Sequence, residues 1–320
     1  MADTREERSV DLSRLHDHLR LFGQFDQNLE TLEQAVPVAL RVDGNRILIH
    51  GDPPAATAAQ QILRRMLDAA VDGALLTPDD VRLAARDVLE RVDGPALPQT
   101  LFTTQRGKEI RPRTHGQRAF VDSMQRHTLT IGIGPAGTGK TFLAVVMAVR
   151  ALRRREVSRL VLSRPAIEAG EKLGFLPGDL KEKVDPYLRP LYDALAELLD
   201  DGIVAKYLER GIIEVAPLAY MRGRTLSDAF VILDEAQNAT HDQLKMFLTR
   251  LGADSKMVVQ GDVTQIDLPR GTGSGLLETP RIFAGMHDVG IVTLDETDVV
   301  RHPLVSRIIG AYGTFEQRPR

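Results

Sequence analysis

From residue 128 onward the chain repeats one alternation, a short run of apolar and often β-branched residues followed by a longer segment of helical character. The runs fall at 128–133, 159–163, 212–215, 230–233, 257–260 and 289–294. Such runs are short for helices and too uniformly apolar for strands with a wet face, so they predict a parallel sheet covered by helices on both sides, an α/β fold. Segment 142–152 is long enough to be a buried helix. The earlier part has another rhythm: a helix over 27–35, strands over 38–42 and 46–50 around Asp43, Gly44 and Asn45, and a helix over 54–69. A polar helix-like stretch, 78–91, then runs into proline and glycine at 92–98, which suggests a domain boundary. The chain is therefore expected to form a small α+β domain over 1–98 and a larger α/β domain over 99–320.

Composition narrows the field. The 320 residues are 43% hydrophobic and 27% charged, as in a globular protein of about two domains. Cysteine is absent, which excludes disulfides, thiolate metal sites and a cysteine nucleophile. The N-terminus is polar, and no run approaches the ~20 apolar residues of a membrane span, so a cytoplasmic protein is expected. Charge is uneven. Residues 1–98 hold eleven arginines, no lysine and seventeen acidic residues, a net −6, which leaves +3 for the rest of a chain whose total is −3. A polyanionic partner thus suits the second part, where Arg106, Lys108, Arg111, Arg113 and Arg118 cluster, as do Arg150, Arg153, Arg154, Arg155 and Arg159. Basic residues at a helix end are equally what the helix dipole favours.

Between the first run and its helix lie Gly134, Pro135, Ala136, Gly137, Thr138, Gly139, Lys140 and Thr141, which fit the phosphate-loop pattern GxxxxGK[ST] at every fixed position. Glycines let successive backbone N–H groups curl around a polyphosphate, Lys140 supplies a cation, and the Thr141 hydroxyl can ligate Mg²⁺. Strand, loop and helix, with Phe142 opening the helix, is the setting this motif requires.

The run 230–233 ends in Asp234 and Glu235, the Walker B arrangement: Asp234 to hold Mg²⁺ opposite Thr141, Glu235 to orient and deprotonate a water. The second carboxylate favours hydrolysis over mere binding. The run 257–260 leads to Asp262 and Gln265, which fit either a γ-phosphate sensor or an Asp-capped turn. Upstream, Gln117 near a helix start is suited to reading adenine through its amide, or is an ordinary surface glutamine.

These pieces in this order resemble the ATPase core of superfamily one helicases. The segments SRPAIEAGEKLGFLPGDL (163–180), VDPYLRPLY (184–192), YMRGRT (220–225), DEAQN (234–238) and GDVTQ (261–265) look more closely like the PhoH family, with the resemblance running from about 113 to 312. The α-β-β-α piece looks like the one that precedes the ATPase domain in shorter PhoH-like proteins. It also resembles KH-like RNA-binding modules, without their GXXG loop. No segment resembles the nuclease domain of the fused members. The resemblance implies a RecA-like P-loop NTPase using ATP and Mg²⁺ in RNA metabolism, with a phosphate-starvation connection by name. It places Arg164, Glu168 and Lys172 where related motors face nucleic acid, and it offers Arg222, Arg224 or Arg301, with Arg301 first, as the arginine that reaches a γ-phosphate in its own or a neighbouring subunit. If a chain with a single ATPase core translocates on RNA, the second surface is expected from a neighbour, which predicts a ring-like homo-oligomer, a hexamer for example. The alternative is a nucleotide-switched adaptor that docks an endoribonuclease or a ribosome-associated partner.

Overall fold

Helix formation and strand pairing can be followed in a computed structural model that describes residues 6–89, 100–165, 180–269, 271–300, 305 and 308, with 6, 180–186 and 201 described by backbone alone. Two units are present, Met1–Thr100 and Leu101–Arg320.

In the first unit the elements are β1 (Glu6–Asp11), α1 (His18–Phe22), α2 (Gln27–Ala35), β2 (Val38–Asp43), β3 (Arg46–Gly51), α3 (Pro53–Val71) and α4 (Pro78–Leu89). The strands form an antiparallel sheet in the order β1-β3-β2. β3 takes the middle and sends Ile47 and Ile49, both fully buried, into the core. Ala56, Ala59, Ile62, Leu63, Met66 and Ala70 recur at helical spacing along α3 and are buried in the same cluster. The α-β-β-α order read from the sequence corresponds to α2, β2, β3 and α3, and it omits β1 and α1. β1 lies in the polar N-terminus, where among residues 7–11 Val10 alone is buried in the core. Pairing with β3, Val10 against Ile47, makes the segment a strand where its own hydrophobicity does not.

The second unit opens with a two-stranded ribbon, β4 (Phe102–Thr103) and β5 (Glu109–Ile110), followed by α5 (His115–Arg126), β6 (Leu129–Ile133), α6 (Lys140–Arg153) and β7 (Arg159–Arg164). Next come α7 (Leu180–Leu198), α8 (Asp201–Glu209), β8 (Ile213–Pro217), β9 (Ala229–Leu233) and α9 (His241–Leu248). The unit closes with β10 (Lys256–Gly261), α10 (Thr279–Ile282) and β11 (Val289–Thr293). Six strands form one parallel sheet in the order β11-β6-β10-β9-β7-β8. Successive strand residues enter opposite cores. Leu160, Leu162, Phe230, Ile232 and Val258 pack with α6 and α7 on one face, while Val161, Val231, Leu233, Met257 and Val259 pack with α9 on the other. With both faces covered, the strands need apolar residues at nearly every position, which is why they stand out in the sequence. β10 lies between β6 and β9, so the carboxyl ends of these three neighbours gather the phosphate loop, the Asp262 turn and the Asp234–Glu235 pair on one edge.

Candidate active site

The phosphate loop leaves β6 at Gly134, whose N–H donates to the carbonyl of Gly261 on the neighbouring strand. A Cβ on Gly134 would lie 2.6 Å from the Leu294 carbonyl oxygen, so this approach admits only glycine. Gly139 takes a positive φ of 79° and hands the chain to α6 with no side chain capping the helix. The first N–H groups of α6 therefore point into the open site, where the positive end of the helix dipole also lies.

Side chains fix the rest of the loop. Thr138, fully buried, donates through its hydroxyl to the Pro135 carbonyl at 2.9 Å. The Lys140 ammonium donates to the carbonyls of Gly134 and Pro135, each at 2.8 Å, and to the Thr138 hydroxyl at 3.2 Å. Burial lowers the Lys140 pKa from its ordinary 10.5, while Asp262, Asp234 and Glu235 act in the opposite sense. The N–H of Ala136 donates to Asp262 at 2.9 Å. The N–H of Val300 donates to the Gly137 carbonyl at 3.0 Å, which ties the segment after β11 to the loop.

Across from the loop, Asp234 is 4% exposed, and its Oδ1 accepts from the Thr141 hydroxyl at 2.9 Å and from Gln260 at 3.1 Å. Burial raises its pKa, with Glu235 adding to the effect; Arg164 and the donors on Thr141 and Gln260 oppose it. A divalent cation at this point would favour the ionised carboxylate. A hydroxyl and one carboxylate oxygen in contact are the hard oxygen donors Mg²⁺ takes, with water and phosphate completing its shell. No cluster of three or more His, Asp or Glu side chains placed to hold a metal occurs among the described residues.

Glu235 follows with φ of 52°, a left-handed conformation unusual for glutamate. Its Oε1 stands 2.7 Å from Arg164 Nη2, and its Oε2 accepts from Gln237 Nε2 at 2.5 Å. Asp262 receives the N–H and hydroxyl of Thr264 on one oxygen, and Ala136 N–H and Gln265 Nε2 on the other, the last at 2.7 Å. Loop, Asp234, Glu235, Gly261, Asp262 and Gln265 together line a cavity of about 280 Å³, which Phe142 also borders.

The structure thus brings together the residues expected of the phosphate loop with Asp234, Glu235 and Gln265. Gln117 is buried nearby, and its amide braces the loop: Nε2 donates to the Thr138 carbonyl at 3.0 Å, and Oε1 accepts from Arg113 N–H at 2.7 Å. Each amide atom keeps one further hydrogen-bonding position, the second N–H of Nε2 and the second lone pair of Oε1, and a base would have to be read with these. Arg224 makes a two-pronged pair with Glu214 at 2.6 and 2.7 Å, and Arg222 is exposed. Arg301, Glu168 and Lys172 lie outside the described residues. Sequence reasoning did not anticipate Arg164 against Glu235, nor Gln237, which is fully buried and bonds Glu235, the Gln265 carbonyl and the Asp262 N–H. The signal was present in the polar Gln two residues beyond Glu235, where a buried strand ends.

A loop built to receive phosphates, answered across β10 by carboxylates suited to magnesium, sets this unit among the P-loop ATPase folds. Within that class the chain belongs to the PhoH family, whose pattern, described as PhoH-like protein, matches residues 109–313. It is 51% identical over 299 residues to the PhoH-like protein of Mycobacterium tuberculosis strain H37Rv, spanning 93% of this chain and 85% of that one. It is 50% identical over 298 residues to the PhoH-like protein of Bacillus subtilis strain 168, spanning 92% and 93%. Among solved structures, the Sulfolobus solfataricus SWI2/SNF2 ATPase core in complex with dsDNA is similar at 13% identity and a TM-score of 0.34, over 57% of this chain and 44% of that one, a likeness too slight to bear on function. No helix among the described residues is long and apolar enough to cross a membrane.

Proposed function

We propose that this protein is a Mg²⁺-dependent ATP hydrolase that works on RNA as a ring-like homo-oligomer. The observation that supports hydrolysis is the contact between Thr141 and Asp234, with Glu235 at the rim of the same cavity. When bound, Mg²⁺ would supply charge neutralisation for the phosphates. The chain's part is to bind the phosphates with Lys140 and the first N–H groups of α6, to hold the metal through Thr141 and Asp234, and to take a proton from water at Glu235. Gln265, bonded to Asp262, is the residue whose partner changes when the γ phosphate leaves.

The test is ATP turnover by the purified chain with and without single-stranded RNA. Turnover that needs Mg²⁺, rises with RNA and falls by about a thousandfold, to a measurable residual rate, in Glu235→Gln is expected. Hydrolysis unaffected by Glu235→Gln would remove the assignment. Mass in solution with ATP tests the ring, since a strict monomer that unwinds duplex RNA is incompatible with it.

The second reading is a nucleotide-switched adaptor for an endoribonuclease or a ribosome-associated protein. Phe25 favours it: the residue is 94% exposed and sits with φ of 53° on the turn between α1 and α2, an aromatic contact point on a unit of net negative charge. Several basic residues are also engaged within the chain. Arg153 stacks on Phe102 at 4.3 Å, Arg159 donates to the Ser227 carbonyl and Arg224 pairs with Glu214. Turnover indifferent to RNA would select this reading.

A further inference from the structure

We propose that Arg164 is the positioning residue for the base Glu235, a role that rests on the hydrolytic reading of Glu235 given above. Arg164 ends β7, next to β9, with Ser163 paired to Leu233 across the two strands. The register continues past the strand end, where the Asp234 N–H donates to the Ser163 carbonyl at 2.9 Å. The side chain after Ser163 is thereby brought level with the two carboxylates that follow Leu233.

The guanidinium makes two close contacts there, and its third nitrogen faces Asp234 at longer range. Nη2 stands 2.7 Å from Glu235 Oε1, Nη1 donates to the Tyr187 carbonyl on α7 at 2.8 Å, and Nε lies 3.9 Å from Asp234 Oδ2. Gln237 holds the other oxygen of Glu235, and Gln237 is itself fixed by the Gln265 carbonyl and the Asp262 N–H. One donor on each oxygen sets the rotation of the carboxylate plane. A carboxylate has about four lone-pair sites, so each oxygen keeps one free for water.

Glu235 borders the cavity and Arg164 does not, so the arginine acts on the base from behind. It also opposes the tendency of a glutamate at positive φ to relax into an ordinary backbone conformation and carry its side chain elsewhere. A lysine cannot replace it, because a single ammonium on a flexible stem lacks the planar fork that meets Glu235 and the Tyr187 carbonyl together. The base is thus referenced to α7 through one side chain.

The experiment compares steady-state ATP hydrolysis and nucleotide affinity for the full chain and for Arg164→Ala, Arg164→Lys, Glu235→Gln and the double variant Arg164→Ala/Glu235→Gln. Arg164→Ala should lower kcat by about a hundredfold, the scale of a misplaced catalytic group, and leave the affinity for ADP within about twofold. Added guanidinium ion should restore part of the Arg164→Ala rate, which a purely structural role would not allow. Arg164→Lys keeps the charge for folding and should remain slow. In the Glu235→Gln background, Arg164→Ala should cost nothing further, because its effect passes through that carboxylate. Full activity in Arg164→Ala, or losses that multiply in the double variant, overturns the proposal while Glu235 stays the base. Unchanged activity in Glu235→Gln brings down both readings.

Discussion

The hydroxyl of Thr141 stands 2.9 Å from the carboxylate of Asp234, although 93 positions separate them in the chain. This bond joins the loop to the end of β9 at the place where the proposed magnesium ion would be held. Asp234→Asn keeps an acceptor for the hydroxyl and loses the charge, so the fold should persist. ATP binding measured calorimetrically in EDTA should be unchanged, its Mg²⁺-dependent increment should vanish, and turnover should fall by about a hundredfold or more.

Gln117 offers a discrimination between bracing and base reading. If its amide serves the loop, Gln117→Ala frees the Thr138 carbonyl and the Arg113 N–H, and affinity for ATP and GTP should fall alike by about tenfold, the worth of a hydrogen bond or two. A loss confined to adenine nucleotides would assign the amide to the base. Competition binding with the two nucleotides measures this directly.

Gly132 faces Phe120, which is fully buried in α5, and a Cβ at Gly132 would lie 2.5 Å from the ring. Gly132→Ala should cost about 1–3 kcal/mol by overpacking and lower the melting temperature of the second unit by several degrees. Adding Phe120→Leu should recover part of the loss, since the two positions share one contact.

Asp262 carries a pH dependence of known sign. Burial raises its pKa, but donors from Thr264, Ala136 and Gln265 outweigh burial and hold the carboxyl below its ordinary 3.8. The unfolded chain therefore takes up this proton at a higher pH than the folded protein. The stabilisation is complete above about pH 4 and is lost as pH falls through the folded value. Asp262→Asn should be less stable than the parent at neutral pH, and thermal melts should show that gap narrowing as the solution is acidified below about pH 4.

The strands of the large sheet were legible because two-sided burial leaves an uninterrupted apolar signature, as at 230–233 and 257–260. The phosphate loop and the Asp234–Glu235 pair were legible because phosphate and metal chemistry demand particular residues at particular spacings. β1 was not, since a strand made by its neighbour carries no pattern of its own. Gln117 and Arg164 show the same limit at the site. Their residue types were noticed, but the target of an amide or a guanidinium depends on which strand lies alongside, and the chain order does not display that β7 and β9 are neighbours. Glu168 and Lys172 on one segment and Arg301 on another lie outside the described part of the chain.

The bonds that Thr138, Gln117, Asp262 and Lys140 make to the phosphate loop also bear on affinity. Ordering a flexible eight-residue loop at the moment of binding would oppose association by about 1–2 kcal/mol for each residue fixed. Hydrogen bonds within the folded chain hold the loop and reduce that cost. The remaining adjustment is small: Lys140 has to exchange two carbonyl oxygens for phosphate oxygens, and the loop around it can stay still.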